Sequence, residues 1–581
     1  MSAADAFVVF TPSGRRGRFP AGTTVLEAAR RLGVDLDSVC GGRGICGRCQ
    51  IEVSEGEHAK HGIVSRAGSL TAPSPVEEAY AADRGLGAGR RLGCTAAVLA
   101  DVVVDVPAES QVHRQVVRKD AEARSIAIDP AVRLHYVEVA QPDLGTATGD
   151  LTRLREALAA EWGLRDLACD PHVLPTLQRT LRAGGFRVTV AVHDGAAITG
   201  VRAGFHDLAY GIAFDVGSTT VAGHLCDLST GDVLASAGAM NPQIRFGEDL
   251  MSRVSYVMMN PGSEKELTRA VRGCLAKLTA ELANDAGVDR DDVLEVTLVG
   301  NPVMHHLLLG LDPTELGGAP FALAIDEAVR LPARELGLPV HAGARAYVLP
   351  CIAGHVGADT AGVILAEGPH LSDKVELVVD VGTNAEIVLG NRERLLAASS
   401  PTGPAFEGAQ ISCGQRAAPG AIERVRIDPA TLEPRFRVIG CDAWSDEPGF
   451  AGTAVTGICG SGIVEVVAEL LLAGILTADG TIDGALAART PRIVADGRTF
   501  SYVLSETEPQ IAVTQNDIRQ IQLAKAALHA GCTLLLERYG VEHVDRIRLA
   551  GAFGAHIDPV HALVLGLVPD CEPDRVTSAG N

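Results

Sequence analysis

The alternation of apolar and polar positions over the first hundred residues predicts a small β-rich domain. Residues 6–19 alternate in the way a half-buried strand does, and Thr24 with Glu27 forms a capping-box pattern that predicts a helix over Val25–Leu32. Two further strand-like segments follow, with a polar loop between them. We therefore expect a compact domain over residues 1–107.

The next part of the chain predicts a linker and a second small domain. Residues 108–130 are charged and have no apolar face, which is typical of a linker. In the segment that follows, the pattern predicts a strand at Leu134–Ala140, helices near 150–163 and 173–183, and a final strand. We expect a small α+β domain over residues 131–204.

From residue 205 onward strands alternate with helices, and two segments repeat one layout. Residues 211–237 and 376–400 each read as an apolar strand, an Asp-Val-Gly turn, a second strand, a polar turn and a third strand. Asp215 and Asp380 begin the matched turns. Two such meanders in one chain predict two similar lobes that face each other across a cleft.

The composition excludes several classes of protein. The chain has 581 residues, enough for several domains, and its 72 acidic against 51 basic side chains give a formal charge of -21. Such a charge is a poor match to nucleic acid or to an anionic membrane surface. No apolar run reaches the length of a membrane-spanning helix, and the chain does not open on a secretory pattern. We expect a cytoplasmic protein that binds neither nucleic acid nor membrane.

Four of the thirteen cysteines lie in the N-terminal domain with a spacing typical of a metal site. Cys40, Cys46 and Cys49 follow a Cys-x5-Cys-x2-Cys pattern, and Cys94 comes later in the chain. The plant-type 2Fe-2S pattern differs from this by one residue. Glycines between the cysteines let the backbone wrap closely around a cluster, and they are Gly41, Gly42, Gly44 and Gly47.

A four-cysteine zinc site is the alternative interpretation, because it also uses a Cys-x2-Cys hook. Zinc ribbons usually supply two such hooks, and Cys94 has no cysteine at that spacing. We therefore favour a 2Fe-2S cluster. The stretch "CGGRGICGRC" with the later "RLGC" resembles the ferredoxin domain, over about residues 5–107.

The glycine turns of the second half are suited to bind phosphate. A strand that ends in Asp-Val-Gly-Ser-Thr-Thr presents consecutive N–H groups, and Ser218, Thr219 and Thr220 add hydroxyl groups. Asp215 and Asp380 would hold a hydrated Mg2+ or orient the attacking water. A third glycine turn, "LAGAFG", would let an adenine ring approach bare backbone. Any one of these turns alone is also compatible with an ordinary hairpin.

In this order the turns resemble those of the actin/hexokinase/Hsp70 ATPase superfamily. Its phosphate-1, connect-1, phosphate-2 and adenosine segments match "DVGSTT", "GHVGADTAGVILA", "DVGTNAE" and "LAGAFG". The resemblance implies catalytic roles for Asp215 and Asp380. It implies nucleotide contacts for Gly217, Ser218, Thr219, Thr220, Asp359, Gly382, Thr383, Asn384, Glu407, Gly551, Ala552, Phe553 and Gly554. For Asp359 a helix cap, and for Glu407 a turn cap, is the alternative.

Further segments narrow the resemblance. Residues 299–310, 401–414, 457–474 and 513–531 are similar to the branch of this superfamily that carries an N-terminal 2Fe-2S domain. Members of that branch are ATP-dependent reductive activators of corrinoid proteins. The resemblance implies a β-grasp ferredoxin-like domain, a small α+β middle domain and a two-lobed α/β ATPase domain over residues 205–581. In the family the chain continues past the equivalent of the C-terminal end, so we expect the last lobe to lack closing elements.

The resemblance also implies a function. The chain would reduce the inactive Co(II) corrinoid of a partner protein to Co(I) by one electron, using a 2Fe-2S cluster, ATP and Mg2+. Its partners would be the corrinoid protein of a methyltransferase system and an electron-donating reductase or ferredoxin. A homodimer is one expectation, although the sequence alone leaves the oligomeric state open.

Three other functions are compatible with parts of the sequence. The first is an iron-sulfur redox sensor whose partner binding is controlled by nucleotide. The second is an ATP-dependent electron donor to another low-potential enzyme, such as a 2-hydroxyacyl-CoA dehydratase. The third is a small-molecule kinase of the same superfamily, which would leave the cysteines unexplained.

Two further groups of polar residues have a structural interpretation. His305 and His306 are adjacent on a predicted helix, so their rings point about 100° apart and cannot readily chelate one ion. We expect them to be structural. Asn516 or Asp517 is expected to be the N-cap of a helix over Ile518–Leu528.

Overall fold

The structure is a computed structural model, and it describes residues 5–34, 36, 44, 49–107, 110, 128–145, 147–247, 249–382, 384–408, 410–507, 509–554 and 556–579. The chain forms two compact units, Met1–Val116 and Val117–Asn581. None of the described helices combines the length and the apolar character that crossing a bilayer demands.

The first unit is built on a five-stranded mixed sheet that one helix covers. The strands and helices are β1 (Asp5–Thr11), β2 (Arg16–Pro20), α1 (Val25–Leu32), β3 (Gln50–Val53), β4 (Gly56–His58), β5 (Ile63–Ser65), α2 (Pro75–Arg84), β6 (Arg90–Leu92) and β7 (Val102–Asp105). The sheet order is β2-β1-β7-β3-β6, with β1 parallel to β7 and the other neighbours antiparallel. This is the predicted β-grasp arrangement.

Helix α1 has the bounds that the sequence predicts. The Thr24 hydroxyl accepts the Glu27 N–H, as an N-cap does. The other half of the predicted capping box is not used, because the Glu27 carboxylate binds Arg31 one turn later. The helix buries Val25 and Leu26 in the core of the unit.

The second unit begins with a four-stranded sheet and two helices. These are β8 (Val132–Glu138), α3 (Asp150–Trp162), β9 (Ala168–Cys169), α4 (Leu174–Ala183), β10 (Arg187–His193) and β11 (Ala197–Ala203), with sheet order β8-β10-β11-β9. The predicted strand, helices and final strand are all present, and the two helices agree with their predicted ranges to within one residue at each end.

Two lobes follow. The first contains β12 (Tyr210–Val216), β13 (Thr220–Asp227), β14 (Val233–Met240), α5 (Leu250–Met259), α6 (Glu264–Ala286), β15 (Val293–Val299), α7 (Pro302–Leu309), β16 (Val329–Pro332), β17 (Arg345–Val348) and α8 (Ala358–Glu367). The second contains β18 (Glu376–Val381), β19 (Ala385–Gly390), β20 (Leu395–Ser400), β21 (Ala421–Ile427), β22 (Pro434–Val438), β23 (Gly457–Ile458), α9 (Gly460–Leu472), β24 (Ile493–Asp496), β25 (Thr499–Ser505), β26 (Ile511–Thr514), α10 (Gln515–Tyr539), β27 (Arg546–Ala550), α11 (Gly551–Gly554), α12 (Pro559–Leu565) and β28 (Val576–Ser578).

The two lobes repeat one sheet, as the sequence repeat predicts. The orders are β14-β13-β12-β15-β17-β16 and β20-β19-β18-β27-β28. Each contains an antiparallel meander extended by two parallel strands, and β16 adds an antiparallel edge strand to the first sheet. Asp215 pairs in register with Val299, and Asp380 with Ala550, so each aspartate lies at the carboxyl end of its central strand. Ligands of parallel sheets bind at this end.

A buried ionic network joins α9, α12 and β21 in the second lobe. Glu465 is fully buried, and its carboxylate accepts Arg424 and Arg426 at 2.6 Å each. His561 lies 2.8 Å from Glu469 and 3.3 Å from Asp558. Glu465, Asp558 and His561 are close enough together to suit a metal ion. Because the arginines already occupy the Glu465 carboxylate, the cluster is better described as an ion-pair network.

The network makes folding of this lobe dependent on pH. Burial works against a charged His561, but Asp558 and Glu469 outweigh it and raise the pKa of the imidazole from 6.5 to about 9. A raised pKa adds stability that is complete below pH 6.5 and is lost as the pH rises through about 9. The shift corresponds to roughly 3 kcal/mol.

We expect His561→Gln to lower the free energy of unfolding by roughly 3 kcal/mol at pH 6 and by much less at pH 10. Denaturant unfolding of the full chain at both pH values measures this difference. His543→Gln, at an exposed position of the same lobe, is the matched control. Equal destabilisation at both pH values would show that His561 is not charged in the folded protein.

Candidate functional site

Two of the predicted cluster cysteines lie side by side at one end of the first sheet. Strands β3 and β6 pair Gln50 with Leu92, and the Gly93 N–H extends this ladder by donating to the Cys49 carbonyl oxygen at 2.7 Å. Cys94 is the next residue, and both cysteine side chains are buried. The ladder therefore brings together two thiols that are 45 positions apart in the chain.

Gly44, which lies between Cys40 and Cys46 in the sequence, is close to this end of the sheet. Gly44 has a φ of +71°, and a Cβ atom there would lie 2.5 Å from Val76 and 3.5 Å from Thr95, the neighbour of Cys94. Only glycine tolerates both the backbone conformation and the close approach. Cys40 and Cys46 lie outside the described residues. The buried pair Cys49 and Cys94 and the close approach of Gly44 fit a 2Fe-2S cluster.

Glu77 supports the segment that carries Cys94. No sequence pattern had indicated a role for this residue. Its carboxylate accepts the Arg91 guanidinium at 2.8 and 3.0 Å, the Leu92 N–H at 2.8 Å and the Thr95 hydroxyl at 3.2 Å. Burial opposes its ionisation, yet these donors hold its pKa below the ordinary value. One buried carboxylate on α2 thus ties down residues on both sides of Gly93.

We expect Glu77→Gln to lower the free energy of unfolding of the first unit by about 2 kcal/mol, because charged hydrogen bonds to a buried group are lost. The same variant should release its cluster faster. Loss of visible absorbance in the presence of an iron chelator measures the release in the full chain. The control is Glu78→Gln at the neighbouring exposed position. Equal release rates in both variants would contradict the role of Glu77.

In the first lobe, the turn Gly217–Thr220 is held from behind by the interior of the lobe. The Gly217 carbonyl accepts the Asn241 side-chain amide at 2.8 Å, and the Thr219 carbonyl accepts the Asn241 N–H at 2.8 Å. Between them, the Ser218 carbonyl accepts the Arg253 guanidinium. A trans peptide points its N–H opposite to its C=O. The three N–H groups that follow these carbonyls therefore point away from Asn241 and Arg253, which is compatible with the predicted phosphate contacts.

An acidic cluster forms where the two lobes meet. Asp380 and Glu386 are directly opposite each other on β18 and β19, so their side chains lie on the same face of the sheet. Asp359, in the first turn of α8, is bound through its N–H to the carbonyl of Gly300, the residue that follows β15. Burial, together with Asp359 and Asp380, raises the pKa of Glu386 well above its ordinary value. Carboxylates from both lobes therefore share one site.

Glu386 was missed as a site residue, although it is the last letter of the matched segment "DVGTNAE". Its position opposite Asp380 follows from strand register, which motif matching does not give. Its carboxylate accepts the Ser399 hydroxyl at 3.1 Å. Glu386 is half-buried, and so are Asp215, Asp359 and Asp380.

The third glycine turn lies against the acidic cluster. Gly551 begins α11 with a φ of +86°, and a Cβ atom there would lie 2.2 Å from the Asp380 carboxylate oxygen. The bare backbone at this residue therefore accommodates Asp380. Contact of this segment with an adenine ring stays a prediction.

The remaining predicted residues divide into three groups. Gly382 and Asn384 lie in the turn after β18, where the Gly382 N–H donates to the Asn384 carbonyl at 3.0 Å. Gly554 lies at the end of α11, near Val381. Thr383 lies outside the described residues, as do the side chains of Glu407, Ala552 and Phe553.

The structural interpretations have mixed outcomes. His305 and His306 are both buried, and His306 bonds to the Pro302 carbonyl and the Ala324 N–H, which supports a structural role. The N-cap prediction for α10 is wrong. Thr514 is the N-cap, and Asp517 completes a capping box three residues later. Likewise Gly357, and not Asp359, is the N-cap of α8.

Four family models match the chain. Residues 10–99 match a 2Fe-2S iron-sulfur cluster binding domain, residues 121–207 a RACo linker region, residues 210–372 a RACo middle region, and residues 374–581 the C-terminal domain of RACo, the ASKHA domain. The corrinoid activation enzyme RamQ of Eubacterium limosum is 32% identical over 573 residues, covering 96% of this chain and 88% of the relative.

A second relative and a solved structure point to the same family. A Co(II) methylated amine-specific corrinoid protein reductase of Methanosarcina barkeri is 25% identical over 382 residues, covering 62% of this chain and 66% of the relative. The solved structure of a reductive activator for corrinoid, iron-sulfur protein superposes with a TM-score of 0.70 and 30% identity, covering 99% of this chain and 91% of the other. The cysteine pair, the two repeated lobes and these matches together show that the chain belongs to the family of reductive activators of corrinoid proteins, with a 2Fe-2S domain and an ASKHA domain.

Proposed function

We propose that this chain reduces the Co(II) corrinoid of a partner protein to Co(I) in a reaction driven by ATP hydrolysis. The observation that carries the proposal is the acidic cluster of Asp359, Asp380 and Glu386 at the junction of two phosphate-turn lobes. It occurs in a chain whose other compact unit buries Cys49 and Cys94 together. Family membership supplies the acceptor, since the relatives act on corrinoid proteins.

The first unit would hold the electron carrier. Cys49 and Cys94, with Cys40 and Cys46, would ligate the cluster, and Glu77 would keep the Cys94 segment in place. When bound, a plant-type 2Fe-2S cluster supplies one electron at about -400 mV. That electron would convert Co(II) to Co(I), and a reductase or a reduced ferredoxin would replace it.

The lobes would bind ATP with Mg2+. The turn Gly217–Thr220 would donate N–H groups to the phosphates, and Asp215 and Asp380 would hold the hydrated metal ion or the attacking water. Glu386 would lie beside Asp380. Burial and the charges of Asp359 and Asp380 disfavour its ionisation as long as no cation is bound. We place the ATPase domain at residues 205–581, after domains at 1–107 and 131–204 and a linker at 108–130.

Coupling to ATP has an energetic reason. The Co(II) corrinoid of the proposed acceptor is harder to reduce than the cluster, and each ~59 mV of mismatch costs a factor of ten for one electron. Nucleotide-dependent docking that alters the Co(II) ligation would make the acceptor easier to reduce, and ATP turnover would then release the Co(I) product. We propose a cytoplasmic protein that works as a homodimer.

The test uses anaerobic full-length protein loaded with its cluster, a chemical reductant and a Co(II) corrinoid protein. We expect Co(I) to form, measured by its visible spectrum, at a rate that rises at least about tenfold with ATP and Mg2+. Equal rates without nucleotide would overturn the coupling. ATP-dependent partner binding without Co(I) formation would favour a redox sensor instead.

A further inference from the structure

Arg253 is a fully buried cation beneath the phosphate turn of the first lobe. It extends from α5 and has no measurable exposure. Its guanidinium donates to the Ser218 carbonyl, to the Gly247 carbonyl at 3.0 Å, to the Gln243 amide oxygen at 3.3 Å and to the Met304 sulfur at 3.2 Å. Every one of these acceptors is neutral.

A buried charge normally has an opposite charge beside it. Among the residues that the structure describes, no carboxylate lies within ion-pair distance of Arg253. Burial lowers the pKa of the guanidinium to about 10, with only a partial offset from Asp249, so the group stays positive at neutral pH. Among the described residues, Asp249 offsets this charge only in part, so a buried positive charge lies directly behind the turn.

The surrounding residues make this arrangement rigid. Gln243, which is also fully buried, accepts Arg253 through its amide oxygen and donates to the Leu267 carbonyl at 2.9 Å. Asn241 holds the carbonyls on both sides of Ser218. Three consecutive carbonyls of the turn are thus held, the outer two by the side-chain amide and the backbone N–H of Asn241 and the central one by the Arg253 guanidinium.

We propose that Arg253 is a positioning residue for the nucleotide phosphates. Arg253 orients the peptide bond between Ser218 and Thr219 so that the Thr219 N–H faces the cleft. The fixed charge of the guanidinium also attracts the phosphate groups through the turn. The phosphates then add negative charge to the partial offset that Asp249 provides. This inference rests on the proposed ATP binding. It adds that Arg253, without touching the phosphates, makes the affinity for the nucleotide increase with the number of its phosphates.

The test compares adenosine, ADP and ATP binding by calorimetry in full-length wild type, Arg253→Met and Arg253→Lys. We expect Arg253→Met to weaken ATP binding at least about tenfold and adenosine binding less than about twofold, because only the phosphates interact with the charge. Arg253→Lys should recover part of the ATP affinity, since it keeps the charge but lacks the fork of donors. Arg245→Gln removes an exposed cation nearby and should change neither affinity.

The ratio of ATP to adenosine affinity within one sample separates positioning from folding. If Arg253→Met unfolds part of the protein, the apparent binding of ATP and of adenosine weakens by the same factor. The ratio of their two dissociation constants then stays at the wild-type value. An unchanged ratio in both variants would overturn the role of Arg253 while leaving the proposed function intact. A wild type that binds adenosine and ATP equally weakly, or neither, would overturn both.

Discussion

We expect Cys94→Ser to abolish electron delivery to the corrinoid partner while ATP hydrolysis continues. Cys94 lies at the end of the β3 and β6 ladder beside Cys49, and its loss would remove one of the four proposed thiolate ligands of the cluster. The loss should exceed the ~10- to 100-fold that changes around a metal site usually cause. Iron content, visible absorbance and the rate of Co(I) formation of anaerobically prepared full-length protein measure it.

Cys226→Ser is the matched control for this change. Cys226 is a half-buried thiol on β13 of the first lobe, and burial raises its pKa, so it is a neutral side chain. The control should keep its iron and its activity. If Cys94→Ser retained a full 2Fe-2S spectrum, or if the wild type contained zinc in place of iron, the assignment of the four cysteines would be wrong.

We expect Asp380→Asn to lower ATP hydrolysis by roughly a hundredfold or more and to leave the iron-sulfur spectrum unchanged. The carboxylate is at the carboxyl end of β18, opposite Glu386 and in contact with the backbone of Gly551. An amide of the same shape keeps the packing but removes the charge that would hold Mg2+ or the water. Removal of one positioned polar group from a reacting centre typically has an effect of this size.

Steady-state phosphate release at saturating ATP measures this effect, and Co(I) formation should fall with it. Asp373→Asn is the control, because Asp373 is exposed and pairs with Arg392 at the surface. Full Co(I) formation by Asp380→Asn in the presence of ATP would show that electron transfer does not need hydrolysis. Unchanged phosphate release would place the catalytic centre elsewhere.

Part of the site could be predicted because local sequence determines it. The helix at Val25–Leu32 follows from Thr24 and a 3.6-residue pattern, and the structure confirms its bounds. The two meanders follow from repeated strands and Asp-Val-Gly turns, which tight hairpins require. The N-cap of α10 was assigned wrongly because Thr514 and Asp517 form a reciprocal pair, and spacing alone did not show which residue begins the helix.

Other parts depend on contacts between residues that are far apart in the chain. Glu386 joins the site through its register opposite Asp380, and Asp359 reaches it only because α8 is bound to the end of β15. No sequence pattern singles out Arg253 or Glu77. Both are buried, and burial is a property of packing against distant segments.

The sequence by itself determined the cysteine spacing, the repeated phosphate turns and the family, because these are local patterns or matches of residue order. Only the tertiary structure decided which charges lose water and which groups they then bind. A carboxylate or guanidinium acquires a special role when folding removes its solvent, and that depends on neighbours that no short segment specifies.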